Sequence, residues 1–269
     1  MKKSITAIAI VIGLFYITTF SVSEQKSNAL ADVSKFNVIN VQGTILFTKS
    51  GERMERGDIY IEGMPLDFTD EVARAAIINK LRGRYVLTGN KRGKVKVLPA
   101  ANNISSRSGA ILNVVDLKNH FSERLLIINQ TKIEIGADAF PMNQKQFFYL
   151  TYNHEGEEIP KKLPFEENQL ILDKEEIFKI DGEPIPVAEK EMTLYYHQDG
   201  SGTKINTFIP VFPEEEILKE EVLLILNTLK GEETDKKIEE VTAYLNEFYG
   251  RPNKSNLSAW LKKEFDLEK

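Results

Sequence analysis

Short runs of β-forming residues occupy the middle of this chain and stop near Pro213. Each run between residues 38 and 212 has the length of a strand, and turns that carry glycine separate one run from the next. After Pro213 the apolar residues recur at helical spacing instead. Strands grouped before helices predict an α+β fold. We therefore expect mainly antiparallel β-structure, in small sandwich-like or barrel-like units, followed by a C-terminal helical segment.

The strand-like runs form two groups. The first covers residues 36–98 and the second covers residues 111–212. Between them, residues 99–110 include the stretch AANNISSRSGA, whose small and polar residues are typical of a linker. The sequence thus predicts two β-rich domains and a helical segment over residues 213–269.

Three helices are predicted in that last segment. The first begins at Glu214 and ends before Gly231, the second begins near Thr234 and stops at Gly250, and the third begins near Ser255. The apolar side chains of each helix fall on one stripe, which predicts a face directed to a core. These side chains are Leu218, Val222, Ile225, Leu226, Leu229, Ile238, Val241, Leu245, Phe248, Leu257, Trp260, Leu261 and Phe265.

Two segments fit either a helix or a strand. FTDEVARAAIINKL, residues 68–81, has a capping sequence at Thr69-Asp70-Glu71, but its apolar residues also suit a buried strand. ILNVVDLKNHFSERLLIIN, residues 111–129, is equally ambiguous. The sequence leaves both alternatives open.

The N-terminus has the order of a secretory signal peptide. Lys2 and Lys3 precede an uncharged apolar run over residues 5–20, and the small residues of Ser21-Val22-Ser23 follow it. We expect residues 1–31 to act as a cleaved signal peptide. The alternative is an uncleaved inner-membrane anchor made by residues 5–20, which would be the protein's membrane contact. Both alternatives place the body of the protein outside the cytoplasm, in the periplasm or otherwise exported.

A series of short motifs runs through residues 38–98. They are Gly43-Thr-Ile-Leu-Phe, Met54-Glu-Arg-Gly57-Asp58-Ile-Tyr-Ile, Leu66-Asp-Phe-Thr69, Ala75-Ala-Ile-Ile-Asn and Arg82-Gly83-Arg-Tyr-Val-Leu87. This order resembles the periplasmic β-domain of FecR-type proteins. The resemblance implies a β-domain with a binding or scaffolding role. FecR-type proteins also carry a cytoplasmic segment that binds a sigma factor, whereas only residues 1–4 precede the apolar run here, so we expect no anti-sigma role.

The tripeptide Arg56-Gly57-Asp58 lies inside the second of these motifs. In some extracellular proteins this tripeptide is an adhesion signal. Glycine adopts positive φ readily, and aspartate can accept hydrogen bonds from nearby backbone, so the same residues suit a turn between two strands. We interpret the tripeptide as a turn.

Residues 80–96 are locally basic although the chain carries a net charge of −5. The seven basic residues are Lys80, Arg82, Arg84, Lys91, Arg92, Lys94 and Lys96. They are a candidate binding face for an acidic protein or an anionic glycan. The alternative, which we favour, is that strand alternation places them on the solvated side of two strands while Val86, Val95 and Val97 point elsewhere. The net charge argues against a nucleic-acid partner.

The sequence lacks the patterns that identify common catalytic and metal sites. It contains no cysteine, and His120, His154 and His197 are not at the spacing of metal ligands. Adjacent carboxylates such as Glu157-Glu158 and Glu166-Glu167 do not by themselves make an acid–base pair. We therefore expect no enzyme activity, no cofactor and no metal.

These observations predict an exported cell-envelope protein that binds or scaffolds a protein partner. The alternative is an exported hydrolase that acts on glycan or peptide through a site assembled from distant residues.

Overall fold

The computed structural model describes residues 33–89, 95–99 and 111–268. The chain divides into two compact units, and the boundary follows Pro99. The predicted signal peptide, residues 100–110 of the predicted linker, and Lys91, Arg92 and Lys94 lie outside the described residues.

The first unit is built on a five-stranded antiparallel sheet. The strands of the whole unit are β1 (Lys35–Gln42), β2 (Ile45–Phe47), β3 (Ile59–Ile61), β4 (Leu66–Phe68), β5 (Arg74–Asn79), β6 (Gly83–Gly89) and β7 (Val95–Pro99). The sheet has the order β3-β1-β5-β6-β7, and β2 pairs with β4 as a separate two-stranded sheet. Buried Ile45 and Leu66 from the smaller sheet join Val38, Ile77 and Leu87 of the larger sheet in one core.

The ambiguous segment 68–81 contains strand β5 rather than a helix. β5 lies between β1 and β6, and its residues from Ala75 to Asn79 are all buried, so both faces of the strand are covered. A strand in that position has a continuous apolar run instead of alternation. The polar residues before it form a turn, in which Asp70 Oδ1 accepts a hydrogen bond from Val72 N at 3.2 Å.

Arg56-Gly57-Asp58 forms a turn that leads into β3. Gly57 has φ of +91°, which suits glycine. Gly57 N donates to Val38 O at 2.8 Å, and Val38 N donates to Asp58 O at 2.9 Å. The Asp58 carboxylate accepts from Glu55 N at 2.8 Å, so it closes the turn. The predicted turn is confirmed.

The second unit combines sheets and helices. Its strands are β8 (Glu123–Leu126), β9 (Gln130–Glu134), β10 (Phe147–His154), β11 (Glu157–Lys162), β12 (Phe165–Glu166), β13 (Gln169–Asp173), β14 (Lys179–Ile180), β15 (Glu183–Pro184), β16 (Met192–Gln198), β17 (Ser201–Val211) and β18 (Arg251–Pro252). Its helices are α1 (Val114–His120), α2 (Lys174–Ile177), α3 (Glu215–Thr228), α4 (Thr234–Phe248) and α5 (Lys254–Phe265).

A six-stranded sheet organises this unit. Its order is β11-β10-β16-β17-β8-β18, and a three-stranded sheet has the order β12-β13-β9. β8 runs parallel to β17 and β18, whereas the other pairs are antiparallel. The dipeptide Asp199-Gly200 in HQDGSGTK predicts a hairpin turn. It turns the chain between β16 and β17, with positive φ at both residues, as such a turn requires. The α+β prediction is confirmed.

The second ambiguous segment contains a helix and then a strand. The Asn113 side chain accepts hydrogen bonds from Val115 N and Asp116 N, each at 2.9 Å, and so starts α1. The chain then enters β8. A similar change of structure follows β13, where Asp173 caps the single-turn helix α2. The sequence pattern predicts a strand for this stretch, EIFKIDG, but β14 forms only its last part.

The C-terminal helices follow their predicted bounds to within about a residue at their starts. Most of the predicted stripe is buried, and Leu226, Ile238 and Phe265 are half-buried. Glu221 is also buried, and its Oε2 accepts hydrogen bonds from the hydroxyls of Tyr244 at 2.8 Å and Tyr249 at 2.7 Å. Within residues 33–89, 95–99 and 111–268, no helix has the length and apolar composition of a membrane span.

Candidate binding surface

The two faces of the six-stranded sheet differ in role. Side chains alternate between the faces along each strand. On β10, Phe148 and Leu150 belong to the core of the second unit. Phe147 and Tyr149 alternate with them, so they lie on the opposite face, and both are half-buried. This opposite face therefore carries large aromatic side chains that the core does not use.

Aromatic residues of β10 and β16 pair across this face. Phe147 is opposite His197, and Tyr149 is opposite Tyr195. The Phe147 and His197 rings are stacked with centroids 4.7 Å apart and planes at 20°. The Tyr149 and Tyr195 rings are stacked with centroids 5.0 Å apart and planes at 9°. Cross-strand aromatic pairs of this kind stabilise a sheet and hold each other's rings in place.

Gly202 on β17 makes room for the Tyr149 ring. A Cβ atom at position 202 would overlap the Tyr149 hydroxyl oxygen and would lie 3.0 Å from Tyr149 Cζ. Gly202 pairs across the strands with His197, which lies on the neighbouring strand β16. The Tyr149 ring thus reaches over β16 to β17. Burial raises the pKa of Tyr149, and Tyr195 and Glu158 add to the rise, so the hydroxyl stays neutral at physiological pH.

Two lysines flank the four rings. Lys162 Nζ lies 4.1 Å from the centroid of the Phe147 ring, which is the geometry of a cation–π contact. Lys204 on β17 is opposite Tyr195 and is exposed. We call the set of residues on this surface the aromatic face. It consists of Phe147, Tyr149, Lys162, Tyr195, His197, Gly202 and Lys204.

A polar cleft continues the same surface along the strands. Thr151 and Thr193 are the next cross-strand pair on this face after Tyr149 and Tyr195. They border a cleft of about 410 Å³ whose lining also includes Glu158 and Glu191. Its remaining lining residues are Tyr152, Asn153 and Lys190. Lys190 Nζ donates to Asn153 O at 3.2 Å. The cleft offers hydroxyl, amide and carboxylate groups beside the rings.

The four described members of the predicted basic face are in different settings. Arg84 is 5% exposed and lies on the same side of β6 as buried Val86, so it does not occupy the predicted solvated position. Lys80 and Lys96 are exposed. Lys96 alternates with half-buried Val95 and Val97, as predicted.

Arg82 is engaged within the first unit. Its guanidinium donates to both carboxylate oxygens of Glu62, at 2.5 Å and 3.2 Å. The same group lies 5.1 Å from the Phe36 ring centroid and 5.2 Å from the Tyr85 ring centroid. The hydrogen bond from Arg82 lowers the pKa of Glu62. The main role of Arg82 is therefore structural, through its ion pair with Glu62 and its contacts with the two rings.

The three histidines are in different settings. His197 belongs to the aromatic face, and His154 ends β10. His120 ends α1, where its Nε2 is buried without a hydrogen-bond partner among the described residues. Burial, with a contribution from Arg251, lowers the pKa of His120 to about 4. In the described part of the chain, no group of three or more histidine or carboxylate side chains is placed to hold a metal ion.

The aromatic face was not predicted from the sequence. Its four rings come from QFFYLTY and MTLYYHQDG, two of the strand-like runs between residues 38 and 212. In both stretches aromatic residues occupy consecutive positions, so both faces of each strand carry rings. That pattern was the available signal, because a strand with one solvated face normally alternates apolar and polar residues.

Comparison with protein-family models finds no match for this sequence, and comparison with curated proteins finds no relative.

Proposed function

We propose that this protein is a non-enzymatic binding module that contacts a protein partner through the aromatic face. The observation that supports this proposal is the placement of four rings, stacked in two pairs, on the side of the sheet that does not build the core. Aromatic side chains in such positions are enriched at the energetic centres of protein interfaces.

The geometry of the rings favours tight contact. The four rings are half-buried, so a part of each aromatic surface is open to a partner. The Tyr149 and Tyr195 rings are already held by stacking, and Gly202 keeps space for Tyr149. Little side-chain freedom would then be lost on binding, so more of the contact energy would appear as affinity.

The cellular setting is part of the proposal. The basic, apolar and small-residue order of residues 2–23 supports export to the cell envelope. The motif order over residues 38–98 supports a FecR-like β-domain with a scaffolding role. On this view the second unit binds the partner, and the first unit serves as a scaffold.

A comparison of matched variants tests the proposal. Full-length wild-type protein, the Tyr149→Ser/Tyr195→Ser variant and the Thr203→Ala control would be immobilised and exposed to cell-envelope extract. Thr203 is exposed on β17 beside Gly202 but alternates to the other face. We expect one partner in stoichiometric amounts with wild type and with Thr203→Ala, and its loss with the double variant.

The folded state of each variant is checked by circular dichroism and urea unfolding. Equal capture of the partner by the folded double variant and the control would refute a role for the aromatic face. The absence of any stoichiometric partner would refute the binding module itself.

The polar cleft favours one alternative function. Glu158 from β11 and Glu191 from the segment before β16 line it together. Two carboxylates that flank the scissile bond are the usual arrangement in hydrolases of glycan, and some hydrolases of peptide also use a carboxylate pair. Single Glu158→Gln and Glu191→Gln variants test this alternative in assays with cell-wall glycan and casein. Hydrolysis by wild type that both variants abolish would favour the hydrolase over the binding module.

A further inference from the structure

We infer that the partner segment bound by the aromatic face is acidic, and that its carboxylates lie over Lys162 and Lys204. This inference rests on the proposed function and names the chemistry of the partner. The charges on the face are its basis.

Lys162 and Lys204 are not among the lysines of the same unit that form ion pairs. Lys132 pairs with Glu166 at 2.6 Å, and Lys219 pairs with Glu264 at 3.0 Å. Lys162 and Lys204 are exposed, and no described carboxylate lies within ion-pair distance of either one. In a chain with a net charge of −5, two exposed lysines that form no ion pair with a described carboxylate create a local positive field beside the rings.

The strand register places these charges around the rings. Lys162 is opposite Tyr149 on one side, and Lys204 is opposite Tyr195 on the other. The row across the sheet is therefore Lys162, Tyr149, Tyr195 and Lys204. A segment that crosses this row can place apolar or proline side chains on the rings and a carboxylate at each end.

The far end of the surface carries the opposite charge. Glu158, Glu191 and Lys190 line the cleft, so the charge of its lining is net negative. Glu158 lies four residues before Lys162 on β11, a separation of about 13 Å along a strand. Carboxylates of a partner would be repelled at the cleft and attracted at the lysines. This charge gradient fixes where the acidic part of the segment binds.

Synthetic peptides test the inference directly. The probes are two fluorescein-labelled peptides of equal length, one alternating glutamate with proline and the other alternating lysine with proline. Fluorescence anisotropy at low salt would report binding to the full-length protein. We expect the glutamate peptide to bind and the lysine peptide not to bind, and we expect added salt to weaken binding.

Charge reversal provides the decisive variant. In Lys162→Glu/Lys204→Glu we expect affinity for the glutamate peptide to fall about ten-fold and affinity for the lysine peptide to rise. The control is Lys118→Glu/Lys254→Glu, which makes the same change in net charge at two exposed lysines of α1 and α5. The control should bind both peptides as wild type does.

Three outcomes would overturn the inference. They are equal binding of the two peptides, binding of neither, and an unchanged affinity for the glutamate peptide after charge reversal. The test is separable from that of the proposed function. A partner retained by the charge-reversed variant but lost from Tyr149→Ser/Tyr195→Ser would contradict the acidic segment and leave the aromatic face as the binding site.

Discussion

The side-chain amide of Asn256 forms hydrogen bonds with both backbone groups of Lys132. Asn256 Nδ2 donates to Lys132 O at 2.9 Å, and Lys132 N donates to Asn256 Oδ1 at 3.1 Å. Lys132 lies on β9, at the edge of the three-stranded sheet. Asn256 lies in the first turn of α5. The amide of Asn256 thus occupies the position of a further strand beside β9, and its two hydrogen bonds attach α5 to the three-stranded sheet.

Asn256→Asp should destabilise the protein because a carboxylate cannot donate to the Lys132 carbonyl. We expect the free energy of unfolding to fall by about 1–3 kcal/mol, the cost of leaving a partly buried backbone group without its partner. Urea unfolding measures this change. Gln144→Glu, which makes the same amide-to-carboxylate change at an exposed position, is the matched control. Equal stability of the two variants would show that the Asn256 bridge contributes little.

Glu221→Ala should destabilise the protein more strongly than a surface change. The substitution leaves the hydroxyls of Tyr244 and Tyr249 without the acceptor that both use. We expect a loss of about 2–4 kcal/mol in the free energy of unfolding. Glu239→Ala on the exposed side of α4 should change stability by less than about 0.5 kcal/mol. Similar losses in the two variants would contradict this account of Glu221.

His120 should make the protein less stable in mild acid. Its pKa is about 4 in the folded state, below its ordinary value of 6.5, so the unfolded chain binds the proton more readily. The contribution of neutral His120 is complete above the unfolded value and declines as the pH falls from about 6.5 towards 4. We expect it to decrease by about 2 kcal/mol between pH 7 and pH 5.

His120→Gln removes this titration. Urea unfolding at pH 7 and pH 5 should show a smaller acid-induced loss in His120→Gln than in wild type, and His154→Gln is the control for the same change of residue type. Carboxylates contribute to the acid response of all three proteins, so the difference between proteins is the relevant quantity. An equal loss in His120→Gln and wild type would contradict the assigned pKa shift.

Gly202→Ala should displace the Tyr149 ring without removing an aromatic or charged group. The overlap falls on the end of the Tyr149 side chain, which can move, so we expect a stability loss below about 1 kcal/mol. The NMR signals of the Tyr149 ring should shift, and partner affinity should fall. Thr203→Ala should change neither quantity. Unchanged affinity with a displaced ring would show that the position of Tyr149 does not matter for binding.

The strand pattern and the helical stripes were predictable because they depend on local periodicity. Asp199-Gly200 identified its hairpin for the same reason, since positive φ at both positions is a local requirement. The residues of β5 alone do not distinguish a strand from a helix. A run such as Ala75-Ala76-Ile77-Ile78 suits a buried helix or a central strand, and its place between β1 and β6 settles the choice.

The candidate site required the tertiary structure. Nothing local indicates which of Phe147 and Phe148 faces the core, because both are apolar and adjacent. The pairing of Arg82 with Glu62 joins two separate turns, one after β3 and one before β6, so Arg82 could not be separated from free cations by spacing. Gly202 is likewise informative only when the Tyr149 ring is seen beside it.

Site-specific photocrosslinking tests the role of the aromatic face most directly. p-Benzoylphenylalanine would replace Tyr195 in one full-length protein and Glu239, exposed on α4, in another. After irradiation in cell-envelope extract, mass spectrometry would identify the crosslinked protein. We predict a crosslink to the captured partner from position 195 and none from position 239. A partner that co-purifies but crosslinks from position 239 and not from position 195 would contradict the proposed binding surface.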